Sequence, residues 1–134
     1  MKLTPLDMED SNSRWNNRPI KTEAELTAIL ADSHEKRPFL LQLEGDNGFK
    51  LIIGVGGPVG CAQFSSVDGN TPYQMAVSKG GQTADSSEAV EFLAGGTPTP
   101  IPIRRCVPFE ALKRIVIQFF EKGDRSREVE WEEV

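Results

Sequence analysis

Residues 108–134 read PFEALKRIVIQFFEKGDRSREVEWEEV, and the fold class follows from how this stretch divides. Pro108 suits the first position of a helix, where its missing N–H would have no partner in any case. At about 100° per residue, Phe109, Leu112, Ile115, Val116, Phe119 and Phe120 fall on one arc. Glu110, Arg114, Gln118 and Glu121 fall opposite, and the spacing of Glu110 and Arg114 predicts an i,i+4 ion pair. Lys122 complements the negative end of the helix dipole, and Gly123 can take the left-handed position that ends a helix. Beyond a short loop, Val129 and Trp131 point one way while Glu128, Glu130 and Glu132 point the other. The stretch is therefore an amphipathic helix feeding an edge-like strand with an acidic side. Ile117 falls among the polar helix positions and is expected to be exposed.

Upstream, the period changes from helical to alternating. Phe39–Leu43 is a compact apolar run after Pro38, and Asp46-Asn47-Gly48 is a turn signal. Phe49, Leu51, Ile53 and Val55 alternate with Lys50, Ile52 and Gly54, and the apolar Ile52 on the second side predicts partial cover there too. Val59–Ser66 and Tyr73–Ser78 follow, separated by Asp68-Gly69-Asn70. Connections this short cannot cross over between parallel strands, so the runs predict an antiparallel meander. Lys79 to Ser87 is rich in Gly, Ser and Thr and is expected to be a loop. Val90 and Phe92 mark another strand, and the prolines from Pro98 to Pro102 restrict the next stretch to extended or edge geometry.

At the other end, residues 1–20 hold a polar, acidic run from Asp7 to Ser13 and are expected to form a loosely ordered arm, with Trp15 able to pin it to the body. Thr22 and Glu25 form a capping-box pattern, and Leu26, Ile29 and Leu30 give the apolar stripe of a short helix. Helix, meander, helix and strand together predict one α+β domain over residues 1–134: an antiparallel sheet with two helices packed on it.

The chain has 134 residues, enough for a core without disulfide or metal staples. Its formal net charge is −5, which argues against direct nucleic-acid binding. No basic cluster longer than Arg104-Arg105 is present. No signal segment opens the chain and no apolar run spans a bilayer, so a cytoplasmic protein without membrane contact is expected. Cys61 and Cys106 fit no metal or redox spacing and are expected to be reduced and partly buried.

Catalytic patterns are missing. His34 is the one histidine, and it falls at the end of the first predicted helix, where the dipole favours a surface cation. Residues 54–60, GVGGPVG, resemble a phosphate loop, but no Gly-Lys-Ser/Thr follows and the next residues read as a strand. No cofactor, metal or catalytic residue is predicted, and the chain is expected not to be an enzyme.

Pro108, Ala111, the run Phe119-Phe120-Glu121-Lys122-Gly123-Asp124-Arg125, and Val129-Glu130-Trp131 resemble the end of the first-numbered immunity-protein family of bacterial polymorphic toxin systems. The meander and the Gly95-Gly96 to Pro102 segment fit the same layout. The resemblance implies a small cytoplasmic antidote that binds a cognate toxin domain and occludes its active site. Several relatives are found beside deaminase-type or nuclease-type toxins. It carries Phe119, Gly123 and Trp131 over as scaffold, and it departs at Ser126, where members often have proline; that departure predicts a looser turn into the last strand. Toxin-facing residues differ among members, so the interface candidates come from the charges alone: Glu128, Glu130, Glu132 and Glu133 on the last strand, and Glu44 and Asp46 beside a turn. A small structural or regulatory protein-interaction domain with no toxin partner is the alternative.

Overall fold

The computed structural model describes residues 1–77 and 88–134; the stretch from Lys79 to Ser87, expected to be a loop, lies outside them. In chain order the elements are β1 (Leu3–Asp7), α1 (Glu23–His34), β2 (Phe39–Gly45), β3 (Phe49–Val55), β4 (Val59–Ser66), β5 (Tyr73–Val77), β6 (Ala89–Ala94) and β7 (Thr97–Pro102). A single 3-10 turn, Ile103–Arg105, then leads to β8 (Val107–Pro108), α2 (Phe109–Lys122) and β9 (Glu130–Glu133). The strands order as β7-β6-β2-β3-β4-β5-β9, with β1 also against β2 and β8 against β4. The expected meander is β2 to β5, all antiparallel. The parallel contact among the described residues is β2 to β6, at Phe39 and Leu93.

Alternation sorts each strand into two sides. Leu41, Leu43, Leu51, Ile53, Phe64 and Ala76 are buried with Leu26, Ile29 and Leu30 of α1 and with Leu112, Ile115, Val116 and Phe119 of α2. Both helices therefore pack on one side of the sheet. Phe119 is fully buried and meets Phe64 edge-on at 6.1 Å, and Phe64 in turn meets Trp131 at 6.4 Å. Burying a side chain of this size contributes roughly 1.5–3 kcal/mol. The opposite side carries a smaller cluster of Cys61, Met75, Phe92 and Cys106, surrounded by Leu40, Val59, Val90, Ile101 and Ile103. Ile52 lies half-buried on that second side, as its sequence position predicts.

The helices form where their caps place them. Thr22 Oγ1 accepts the Glu25 N–H at 3.1 Å, and the Glu25 carboxylate accepts the Thr22 N–H at 3.1 Å, completing the capping box. The Lys21 N–H also reaches Glu25, and these donors hold its carboxyl below the usual range. At α2, Pro108 is the cap rather than the first helical residue. Gly123 ends the helix at φ 72°, its N–H donating to Phe119 O at 2.8 Å. A Cβ there would sit 2.6 Å from Asn47 Nδ2, whose amide donates to Gly123 O, so the glycine also lets the β2–β3 turn dock on the helix end.

Three sequence expectations change here. Residues 1–20 do not form a loose arm throughout: Leu3–Asp7 pair with Gly45–Leu41 of β2, and Leu3 and Ile20 are buried. The acidic run misled because Asp7 is itself buried, its Oδ1 accepting the N–H groups of Glu9 at 2.9 Å and Asp10 at 2.8 Å. Trp15 does pin this segment, donating from Nε1 to Asp32 Oδ2 at 2.8 Å. Ile117 is half-buried against the main core instead of exposed. Glu110 pairs with Lys113 at 3.8 Å, because Arg114 reaches across to Glu128 at 3.3 Å.

Candidate binding surface

The surface built by the C-terminal stretch starts from the turn between α2 and β9. The N–H of Arg125 bonds the Asp124 carboxylate at 2.7 Å and is the main cause holding that carboxyl below its usual range. The Arg125 guanidinium lies over the Phe64 ring at 5.0 Å and donates to Gln74 Oε1. Ser126 is buried; its Oγ accepts the Glu128 N–H at 3.1 Å and its carbonyl accepts Trp131 Nε1–H at 2.9 Å. The serine that replaces the expected proline thus constrains the turn by hydrogen bonding, and the looser turn predicted from sequence is not what forms.

β9 runs antiparallel to β5, with Glu130 opposite Val77 and Glu133 opposite Gln74. Trp131 shares its side with Ala76 and Phe64, which places Glu133 and Val129 toward the helices and Glu130 and Glu132 on the second side. The four glutamates have different surroundings. Glu132 is held by two arginines, Oε2 by Arg104 Nη1 at 2.7 Å and Oε1 by Arg105 Nη2 at 2.8 Å. The Arg104 hydrogen bond, then that of Arg105, keeps the Glu132 carboxyl below its usual range, and the same contact raises Arg104. Glu128 meets Arg114, both more than half exposed, a pairing of little energetic weight. Glu133 accepts a hydrogen bond from Gln74 Nε2 at 2.9 Å. Glu130 is exposed, and its side chain has no hydrogen bond or ion pair to another described residue.

The two remaining candidates lie elsewhere. Glu44 is on β2 opposite Lys50, and Asp46 sits in the β2–β3 turn, where it accepts the Lys2 N–H at 3.3 Å. Four strand spacings separate β2 from β9, roughly 19 Å at about 4.8 Å each. The structure therefore brings Glu128 to Glu133 together at one end of the sheet and leaves Glu44 and Asp46 apart from them. Sequence reasoning missed Arg104 and Arg105 as part of this surface. Their adjacency was visible, but the pairing to Glu132 spans 28 and 27 residues.

His34 stacks on Phe109 with ring centroids 3.7 Å apart and planes 5° from parallel, in a groove between the helices. Cys61 and Cys106 are free and buried, and burial pushes their thiols up to about 12 and about 11. Such thiols stay protonated and unreactive at neutral pH. Among the described residues no group of three or more His, Cys, Asp or Glu is placed to hold a metal ion. No described helix is long and apolar enough to cross a membrane.

A search of curated proteins finds no match for this chain. The family model described as Immunity protein Imm1 matches residues 14–133, which takes in both helices, the strands from β2 onward and the C-terminal surface just described. The chain belongs to the Imm1 family of immunity proteins, non-enzymatic partners that neutralise a toxin.

Proposed function

We propose that this chain neutralises its cognate toxin by binding the toxin domain and occluding its active site or the path of substrate to it, in the cytoplasm of the cell that makes the toxin. The toxin acts on nucleic acid, as a deaminase or a nuclease. Family membership over residues 14–133 is the observation that carries the toxin partner. The net charge of −5 supports the choice of substrate, because an enzyme that grips a phosphate backbone presents a basic cleft that acidic side chains can fill.

Within the acidic end of the sheet, Glu130 and Glu133 are the exposed carboxylates not held by an arginine. They are the interface glutamates of this reading. Glu128 and Glu132 shape the surface through Arg114, Arg104 and Arg105, and Glu44 and Asp46 contribute only to the wider field. The test is co-expression of the chain with the C-terminal domain encoded by the adjacent reading frame, scored by growth. Rescue is expected; failure to rescue against every neighbouring candidate domain would overturn the reading. Glu130→Lys combined with Glu133→Lys should slow association about tenfold at low salt and less at high salt, since screening removes steering.

A further inference from the structure

A sheet whose order ends at two strands must do something with the unpaired amides of its edges, and an open edge is a template for another strand. The edges at β1, β7 and β9 can be compared group by group. On β1, Leu3 exchanges hydrogen bonds with Ile20 at 3.0 and 2.7 Å and Pro5 O accepts the Asn17 N–H at 2.9 Å, so the incoming chain covers that edge. On β7, the bond from Ile103 N–H to Glu88 O fixes which residues face β6. Counting back by twos, Ile101, Thr99 and Thr97 also face β6, and Pro98, Pro100 and Pro102 face outward. That outer edge has carbonyls and no N–H at all.

β9 is different. The bond from Val134 N–H to Tyr73 O at 3.1 Å shows that Val134, Glu132 and Glu130 direct their amides at β5. Trp131 and Glu133 therefore turn both N–H and C=O away from the sheet, and no described strand pairs with them.

We infer that the outer edge of β9 receives an extended, Lys- or Arg-bearing segment of the toxin as an added strand. Strand addition supplies affinity through the backbone groups of Trp131 and Glu133, and the flanking side chains choose the partner. Those side chains are acidic: Glu130 and Glu133 are exposed on opposite sides of β9. Opposite charges on facing strands stabilise a pair and like charges oppose it. A second copy of this chain is the wrong occupant for that reason. Every antiparallel register that pairs the outward groups of two β9 strands sets Glu132 or Glu133 against itself, or Glu130 against Glu132. This inference rests on the toxin-binding reading and adds the edge and the mode of contact.

The test measures binding of the purified toxin domain by calorimetry, beside growth protection, for the wild type, Glu133→Ala and Glu133→Pro. Glu133→Ala removes a carboxylate and keeps the N–H, and should weaken binding about threefold. Glu133→Pro removes an N–H that the fold does not use, and should weaken binding at least tenfold beyond Glu133→Ala with an unchanged melting temperature. Equal binding by the proline and alanine variants would overturn the edge inference. Where proline disturbs the fold, an amide-to-ester replacement at Glu133 removes the same N–H without fixing φ and decides the question by the same comparison. A wild-type chain that neither binds nor protects would overturn the toxin reading itself, whereas a wild-type dimer dissociated by Glu133→Pro would overturn the choice of occupant.

Discussion

β7 and β9 close the two ends of one sheet, yet β7 turns three prolines outward whereas β9 turns the amides of Trp131 and Glu133 outward. The two strands also stand differently on the body. β7 packs through Ile101 against the small cluster on the second side, while β9 is tied to the main core through Trp131, Phe64 and Phe119. β7 shows how an edge is disabled without covering it: a proline at every outward position leaves nothing to donate. Beside it, the acidic residues of β9 repel copies of the same chain but leave the amides in place. Charge selects which strand may pair, whereas proline prevents pairing, and this difference is why we assign the partner to β9.

The largest expected effect comes from removing what holds β9 in place. Phe119→Ala opens a cavity beneath Phe64 and should cost about 3–5 kcal/mol, read as a fall in the urea midpoint. A cost below about 1 kcal/mol would mean that β9 does not rest on this core. A smaller effect on stability, within about 0.5 kcal/mol, is expected for Pro98→Thr with Pro100→Thr, since both positions face solvent. What should change is association: restoring outward donors on β7 gives concentration-dependent self-association in sedimentation, while the wild type stays constant. The same sedimentation profile for both proteins would break the comparison.

The smallest effect concerns Glu132. Its carboxyl is held below the ordinary 4.5 by Arg104 and Arg105, so the folded state binds this proton less readily than the unfolded chain. The stabilisation is complete above 4.5 and is lost as pH falls through the lowered native value. Glu132→Gln should therefore lower stability slightly at neutral pH and leave the acid end little changed, which flattens that part of the acid limb of the stability profile. An identical acid limb in both proteins would mean that the two arginines do not hold the carboxylate in solution.

Much of the fold was legible because its signals are local. The turn residues between β2, β3, β4 and β5 sit within a few positions of the strands they join, and the capping box and Gly123 mark helix ends by their own chemistry. β1 was hidden because its worth depends on Ile20 and on β2, and because Asp7 looks solvated until its carboxylate is seen capping a turn. The surface was harder still. Sequence marked the glutamates of β9, but the sorting of Glu132 from Glu130 needs Arg104 and Arg105, and those are brought close by the path from β7 across the sheet. The outward prolines were visible as a pattern, but which way they face follows only from the pairing of β6 with β7.

Backbone hydrogen exchange, resolved residue by residue, tests the claim about β9 most directly. In the free chain, the amides of Glu132 and Val134 should be protected by β5 while those of Trp131 and Glu133 exchange near the unprotected rate. On addition of the toxin domain, Trp131 and Glu133 should slow by at least tenfold. Protection of both amides in the free chain, or fast exchange that persists in the complex, would contradict the account.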